Sequence, residues 1–231
     1  EEGEELDLSG AHLSYGDFKE ATFTGTGAVR LNGAGLAHAD LSGSKVTAKG
    51  FTDGILIDFS GANLANANLS SSVLTARGNV SASIDFTGAN LVEADLSGSV
   101  ITANSSLGSY GEATIDFSEA NLANADLSGS RLTSEGAKGH ATVDFTEANL
   151  VSADLSGSML TAEEKEREGD EGEATIDFTK ANLTNAGLSG SVITASSLDG
   201  DAVINFTQAN LANADLSGSR LTAEGEIRDA T

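Results

Sequence analysis

Large apolar residues recur every five positions through most of this 231-residue chain. The clearest stretch runs from Ile84 to Thr102 and reads IDFTGANLVEADLSGSVIT, with Phe86, Leu91, Leu96 and Ile101 at the repeating positions. A spacing of five matches neither the 3.6-residue period of a helix nor the two-residue alternation of a simple strand. Because the whole pattern returns at a longer period of about 20 to 50 residues, it predicts a solenoid.

Four pentads make one block, and the chain contains eight blocks. The regular quartets of apolar residues are Phe59/Leu64/Leu69/Leu74, Phe86/Leu91/Leu96/Ile101, Phe117/Leu122/Leu127/Leu132, Phe145/Leu150/Leu155/Leu160, Phe178/Leu183/Leu188/Ile193 and Phe206/Leu211/Leu216/Leu221. Two degenerate quartets precede them, Leu8/Leu13/Phe18/Phe23 and Leu31/Leu36/Leu41/Val46. A small residue stands two positions before most of these, as Ala62, Ala67 and Ser72 do in one block. We expect each block to close one coil, with the large and the small side chains inside.

This pattern resembles the pentapeptide-repeat family, whose motif is A-[D/N]-L-x-x. The motif is matched by Ala62-Asn63-Leu64, Ala94-Asp95-Leu96, Ala125-Asp126-Leu127 and Ala214-Asp215-Leu216. The resemblance implies an all-β fold, a right-handed quadrilateral parallel β-helix. We expect eight coils in a single domain over residues 1–231, with loops or short extra strands inserted at one corner.

The chain departs from the family in having a connector after every fourth pentad. Between the closing Thr of one block and the next Ile or Val lie 4, 9, 8, 12, 9, 14 and 9 residues, always at the same corner. Several connectors end in an alternating stretch, such as residues 113–117, that indicates a strand. The favoured expectation is a square tube with protruding loops. The alternative is a wider solenoid in which the connectors complete a side.

The composition limits the partners. The chain has 35 Asp and Glu against 12 Lys and Arg, a formal charge of -23, so a nucleic-acid backbone would be repelled. It contains no Cys, and it has no apolar run of about 18 residues that would insert into a membrane. Since the sequence begins at Glu1 and not at Met, we expect a processed, extracellular or cell-surface protein.

Stacking coils about 4.8 Å apart turns each repeat position into a row along the rod. One carboxylate row consists of Asp58, Asp85, Asp116, Asp144 and Asp177, and a second of Asp40, Asp95, Asp126, Asp154 and Asp215. Neighbouring charges at this spacing repel by roughly 0.9 kcal/mol in water. The rows are therefore either cation ladders, with Ca²⁺ as the candidate ion, or carboxylates that fan into solvent. We favour the second interpretation and expect no cofactor.

Three further rows are uncharged or mixed. Asn63, Asn90, Asn121, Asn149, Asn182 and Asn210 predict an amide ladder that hydrogen-bonds along the rod. The closing threonines Thr47, Thr75, Thr102, Thr133, Thr161, Thr194 and Thr222 suit a strand and would also suit ordered water or ice. The fourth face differs from the others because its outward residues are Lys45, Val73, Val100, Arg131, Met159, Val192 and Arg220. Such a strip predicts contact with the folded-back connectors or with a second rod.

No catalytic motif is present. His12, His38 and His140 are dispersed, and the carboxylates form regular rows instead of one pair in a cleft, so we expect no enzyme. Two glycosylation sequons begin at Asn79 and Asn104, inside connectors.

The sequence favours a structural protein that assembles with itself, through the solenoid ends or the fourth face, into a filament, sheath or layer. The first alternative is a cytoplasmic acidic DNA mimic that binds gyrase or another basic partner, a role that the family resemblance implies. The second is an adhesin module that binds ice, glycans or cations.

Overall fold

A computed structural model describes residues 4–51, 54–106, 111–137, 139–165, 172–198 and 200–225. These residues form sixteen strands in two eight-stranded parallel sheets and contain no helix. The first sheet consists of β1 (Leu6–Asp7), β3 (Ala28–Arg30), β5 (Ile55–Asp58), β7 (Ser81–Asp85), β9 (Glu112–Asp116), β11 (Ala141–Asp144), β13 (Ala174–Asp177) and β15 (Ala202–Asn205). The second consists of β2 (Thr22–Thr26), β4 (Lys45–Lys49), β6 (Val73–Gly78), β8 (Val100–Ser105), β10 (Arg131–Gly136), β12 (Met159–Glu164), β14 (Val192–Ser197) and β16 (Arg220–Gly225).

Each coil has four faces. Face 1 is the sheet of odd-numbered strands and face 4 the sheet of even-numbered strands. Faces 2 and 3 are ladders of single parallel bridges, running from His12 to Asn210 and from Asp17 to Asp215. The predicted parallel β-solenoid with four faces is thereby confirmed, with eight layers along its axis. In the part of the chain that the structure covers, no helix is long and apolar enough to span a bilayer.

The five-residue period arises because each corner is a four-residue turn between one inward residue and the next. At one corner the Ala62 N–H donates to the Phe59 carbonyl oxygen at 3.0 Å, and Gly61 between them has φ of 60°. A positive φ at the third residue is the geometry of a type II turn, which favours Gly or Asn. The same corner two layers further on uses Glu119 with φ of 58°, so a side chain there tolerates a left-handed backbone.

The core consists of rows of identical side chains. Six phenylalanines on face 1 stack with centroid spacings of 4.9, 4.6, 5.1, 5.0 and 4.8 Å, in the order Phe59, Phe86, Phe117, Phe145, Phe178 and Phe206. The predicted small residues Ala62, Ala67 and Ser72 are at most 1% exposed. Because only small side chains fit two positions before each large one, the pentad alternation is a packing requirement.

The connectors differ from the favoured expectation. Their described residues lengthen the strands of faces 4 and 1 instead of leaving the corner as loops: Ala103 and Ala113, at opposite ends of one connector, lie in β8 and β9 and are fully buried. Burial alternates along both strands. The connectors lengthen the strands because they supply small inward residues that widen the core at this corner. The prediction of protruding loops was therefore wrong for these residues, and the short extra strands are present. Parts of the longer connectors, including 166–171, lie outside the described residues.

Candidate interaction surface

The two carboxylate rows stabilise the turns of the solenoid. On face 1 the Oδ1 atoms of Asp58, Asp85, Asp116, Asp144 and Asp177 accept hydrogen bonds from the backbone N–H two residues later, at 2.6 to 2.9 Å. On face 3 the Oδ1 atoms of Asp40, Asp95, Asp126, Asp154 and Asp215 accept equivalent bonds at 2.8 to 2.9 Å. One oxygen of each carboxylate thus satisfies a turn donor, a role that the interpretation of the rows as carboxylates fanning into solvent did not include.

The environment of the carboxylates changes along and between the rows. On face 1, burial raises the pKa of Asp144, against the hydrogen bonds from Thr146 that lower it, and the charges of Asp116 and Asp177 add to the increase. On face 3, which is more open to solvent, hydrogen bonds from Ser42 lower the pKa of Asp40. Burial is thus the main reason for the raised pKa of Asp144, and repulsion from its two row neighbours adds to it.

The asparagine row on face 2 has the same capping role. The Oδ1 atom of each Asn from Asn63 to Asn210 accepts from the N–H two residues later, at 3.1 to 3.4 Å. Only the pairs Asn63–Asn90 and Asn121–Asn149 also form the predicted amide bond along the rod, at 3.1 and 2.9 Å. The ladder is thus present in part, and turn capping accounts for the row as a whole.

Face 4 is a sheet with three outward rows. The outer row, which contains the residues predicted as an interaction strip, is Thr22, Lys45, Val73, Val100, Arg131, Met159, Val192 and Arg220. The threonine row is Thr24, Thr47, Thr75, Thr102, Thr133, Thr161, Thr194 and Thr222. The corner row, beside the connectors, is Thr26, Lys49, Arg77, Asn104, Glu135, Glu163, Ser196 and Glu224.

The outer row of face 4, which contains the predicted interaction strip, is continuous along the rod and accessible to solvent. Val73, Val100, Met159 and Val192 are half-buried by their row neighbours, and the basic residues among them are exposed. The Arg131 Nη1 atom lies 2.8 Å from the Met159 sulfur atom, so the guanidinium lies along the strip. The described connector residues continue the strands in the plane of the sheet and do not fold back over the strip.

Face 4 also holds most of the unpaired positive charge among the residues that the structure describes. Elsewhere Arg30 is paired with Glu5 at 3.2 Å and Lys180 with Glu147 at 2.6 Å. Among the residues that the structure describes, no carboxylate oxygen lies within 4.0 Å of the charged nitrogen atoms of Lys45, Lys49, Arg77, Arg131 and Arg220. In a chain with a net charge of -23, this face is the exception to the acidic surface.

The sequence did not indicate the corner row, because its members lie in connectors of unequal length. Lys49, Arg77, Asn104, Glu135 and Glu163 occupy one register position in five successive strands. The signal was a Thr-Ala or Thr-Ser pair at the start of every connector but the first, which continues the in-out alternation of the strand by two more residues.

Side-chain hydrogen bonds close the corner where longer connectors leave it. The Ser105 hydroxyl donates to the Gly111 carbonyl oxygen at 2.6 Å. The fully buried carboxylate of Glu164 accepts from the Leu198 N–H at 3.0 Å, and the Ser197 hydroxyl donates to the Gly172 carbonyl oxygen at 2.8 Å. These groups bond to connector backbone, so they hold the corner together and do not form an open polar pocket.

The remaining candidate residues are not gathered into a site. His12 lies in the face 2 ladder, His38 stacks on Tyr15 at 4.7 Å, and His140 Nδ1 accepts from the Glu173 N–H at 3.2 Å. No group of three or more His, Asp or Glu side chains in the described ranges is placed to hold a metal ion. Cation binding by the aspartate rows therefore stays a prediction without a structural site.

The two sequons differ in environment. Asn79 lies in a bend between β6 and β7. Asn104 lies in β8, where its amide nitrogen donates to Glu135.

A family model described as pentapeptide repeats matches the chain in eight copies, with matches at residues 57–76, 115–134 and 204–223. Among solved structures, HetL, a pentapeptide repeat protein involved in heterocyst differentiation regulation from the cyanobacterium Nostoc sp. strain PCC 7120, is 20% identical over 93% of this chain and 88% of that chain, with a TM-score of 0.30. Full-length QnrB1, a plasmid-mediated fluoroquinolone resistance protein, is 17% identical over 94% and 89%, with a TM-score of 0.29. A pentapeptide repeat protein from the Arabidopsis thaliana thylakoid lumen is 18% identical over 80% and 69%, with a TM-score of 0.15. A comparison with curated protein sequences finds no match.

At this identity and these TM-scores, the solved structures support no argument about partners or activity. The family model, however, matches the same pentads whose leucine, asparagine and aspartate rows form faces 2 and 3. The chain belongs to the pentapeptide-repeat family.

Proposed function

We propose that this protein is a non-enzymatic structural rod that associates with copies of itself through face 4. The observation that carries the proposal is the composition of that face: half-buried Val and Met side chains together with five basic side chains that have no carboxylate partner among the described residues. Apolar side chains next to Arg are typical of the centre of a protein interface. An extracellular or cell-surface location belongs to the same proposal.

Faces 1 and 3 are less suited to self-association. Faces 1 and 3 carry the aspartate rows, so two copies that met through these faces would bring like charges together. Net repulsion between two chains of charge -23 also opposes association at low ionic strength. Association should therefore increase from low to physiological salt.

Sedimentation velocity and negative-stain electron microscopy of the purified chain, at low, physiological and high salt, test the proposal. We expect dimers or larger assemblies at physiological and high salt. A uniformly monomeric protein under all three conditions would show that the proposal is wrong.

A matched pair of variants tests whether face 4 is the contact surface. Val100→Glu places a charge in the middle of the outer row, and Val151→Glu places the same charge at a turn between faces 2 and 3, where the valine is also half-buried. We expect Val100→Glu to abolish association and Val151→Glu to preserve it. Equal loss in both variants would indicate a general effect of added negative charge.

A further inference from the structure

The corner row of face 4 has its charges in an unusual order. Counting layers from the N-terminal end of the rod, Lys49 and Arg77 occupy layers 2 and 3, Asn104 layer 4, and Glu135 and Glu163 layers 5 and 6. Basic and acidic residues are thus separated by one uncharged residue at layer 4. If a second copy of this row runs in the opposite direction, its acidic residues lie across from the basic residues of the first copy.

We infer that two copies pair face 4 against face 4 as antiparallel rods, related by a two-fold axis that runs along the β8 strands of layer 4. This inference rests on the proposed self-association and specifies its geometry. An axis along the strand direction keeps each residue in its own row and brings layer k of one copy opposite layer 8 − k of the other.

That operation pairs opposite charges throughout the corner row. Lys49 faces Glu163 of the second copy, Arg77 faces Glu135, and Asn104 faces its own symmetry mate. Each charged pair occurs twice because the interface is isologous, so four ion pairs flank a central pair of amides.

The outer and threonine rows fit the same operation. At the axis Val100 faces Val100 and Thr102 faces Thr102, which puts an apolar and an uncharged contact at the centre of the interface. The basic side chains of the outer row face apolar or uncharged residues: Lys45 faces Met159, and Arg131 faces Val73. No two charges of the same sign are directly opposed in layers 1 to 7.

The other face-to-face arrangement is less favourable. An axis along the rod would make the copies parallel and would bring the outer row of each layer opposite the corner row of the same layer. Lys45 would then face Lys49, and Met159 would face the carboxylate of Glu163. The antiparallel arrangement avoids both contacts.

Residues just beyond the corner row add a further favourable contact between the two antiparallel copies. Phe51, which is 88% exposed, follows Lys49 by two residues, and Lys165 follows Glu163 by two residues. Pairing Lys49 with Glu163 therefore brings an exposed aromatic ring near a cation. Within one chain Lys165 lies 3.0 Å from Glu135 and 3.5 Å from Glu163, so one cation is shared by two carboxylates and negative charge remains for the second copy.

The size of the contact sets the expected strength. Seven overlapping strands at about 4.8 Å, each about 18 Å long, give about 600 Å² per copy and about 1,200 Å² in total. This is near the lower bound of specific interfaces, where transient complexes are found, so we expect a weak and reversible dimer.

Site-directed crosslinking tests the geometry directly, because the chain has no native Cys. In a short bismaleimide assay we expect Asn104→Cys to crosslink to itself. Lys49→Cys and Glu163→Cys should each remain uncrosslinked alone, since identical residues four layers apart are about 19 Å apart along the rod. A mixture of these two variants should crosslink as a heterodimer.

Thr161→Cys is the control for parallel rods. In the antiparallel dimer this residue of layer 6 faces Thr47 of layer 2, whereas in a parallel dimer it faces itself. Efficient self-crosslinking of Thr161→Cys or Lys49→Cys would overturn the antiparallel geometry and leave self-association through face 4 intact. A sedimenting dimer without any of these crosslinks would place the contact on another surface, and a monomer in every sample would refute both the geometry and the proposed function.

Charge reversal provides an independent readout. Lys49→Glu places a carboxylate opposite Glu163 of the second copy, and the two-fold axis produces this repulsive contact twice. We therefore expect dimer affinity to fall roughly ten- to a hundred-fold. Adding Glu163→Lys to the same chain should restore most of the affinity. If the double variant binds no better than Lys49→Glu alone, the Lys49–Glu163 pairing is wrong.

Discussion

The stack of six phenylalanines on face 1 makes a quantitative prediction about where the solenoid derives its stability. Phe117 lies inside the stack, is fully buried, and has rings at 4.6 and 5.1 Å on its two sides. Phe206 ends the stack, is only partly buried, and has one neighbour at 4.8 Å. The two residues thus allow the same substitution to be compared in the middle and at the end of one row.

The expected loss follows from the burial and the stacking. Phe117→Ala removes about 150 Å² of buried apolar surface, or about 4 kcal/mol, and two ring contacts add about 1 kcal/mol or more. At Phe206 about half that area and one ring contact are lost, so we expect about 2 to 3 kcal/mol. The central variant should therefore lose about twice the free energy of unfolding lost by the terminal one.

Urea denaturation followed by far-ultraviolet circular dichroism measures the difference, with ring packing followed separately by near-ultraviolet circular dichroism. Coincidence of the two transitions establishes that unfolding is cooperative, which the comparison of free energies requires. The reasoning would be refuted if Phe117→Ala and Phe206→Ala lost equal stability, or if Phe117→Ala cost less than about 1.5 kcal/mol.

Three further predictions concern substitutions of single residues within the rows of the rod. The Ser130 hydroxyl is buried without a hydrogen-bond partner, whereas Ser134 donates to a backbone carbonyl at 2.7 Å and accepts from an N–H at 3.2 Å. Ser130→Ala should therefore stabilise the protein by about 1 kcal/mol and Ser134→Ala destabilise it by about 1 to 3 kcal/mol in urea titrations, and a reversed order would contradict the assignment. Glu119→Gly should raise the thermal midpoint by relieving a φ of 58°, and Gly129→Ala, at a φ of 62° in open space, should lower it, each by the equivalent of about 1 kcal/mol. Burial raises the pKa of Asp144 in the folded protein above the pKa of the same group in the unfolded chain. At a pH above the raised pKa, ionisation of Asp144 therefore lowers the free energy of unfolding. This cost disappears as the pH falls below the pKa of the unfolded chain. Asp144→Asn should hence stabilise the protein at about pH 7 and have little effect at about pH 3, and an equal effect at both pH values would exclude ionisation as the cause.

The sequence predicts the rows of the solenoid because each row repeats one packing requirement. The phenylalanine and leucine positions, and small residues such as Ala62, follow from the five-residue spacing alone. The outward carboxylates were also identified, but their role was not. A spacing pattern places Asp58 on the surface, whereas its bond to the Ser60 N–H depends on the turn geometry that the pattern does not describe.

The connectors were the main error of the sequence analysis, for a physical reason. Their lengths vary, so residues such as Arg77 and Glu135 do not align when the blocks are laid on each other, although the strands place them in one row. Strand pairing fixes the register outward from the repeated block, and the length difference is taken up beyond the ends of the strands. Local alternation after each closing Thr was therefore a better guide than connector length.

The order of charges in the corner row is the part of the surface that the fold itself does not require. Its residues cap no turn and fill no core position, so an alternating order would be equally compatible with the strands. The observed order places Lys49 beside Arg77 and Glu135 beside Glu163, one strand apart. Each like-charged pair costs roughly 0.9 kcal/mol in water at this spacing, and an alternating order would replace that repulsion with attraction. Lys165 relieves the acidic pair within the chain, but no carboxylate among the described residues relieves the basic pair. A second copy in the antiparallel arrangement would place an opposite charge across from each of these four residues, and this attraction between the copies would offset the repulsion within each rod.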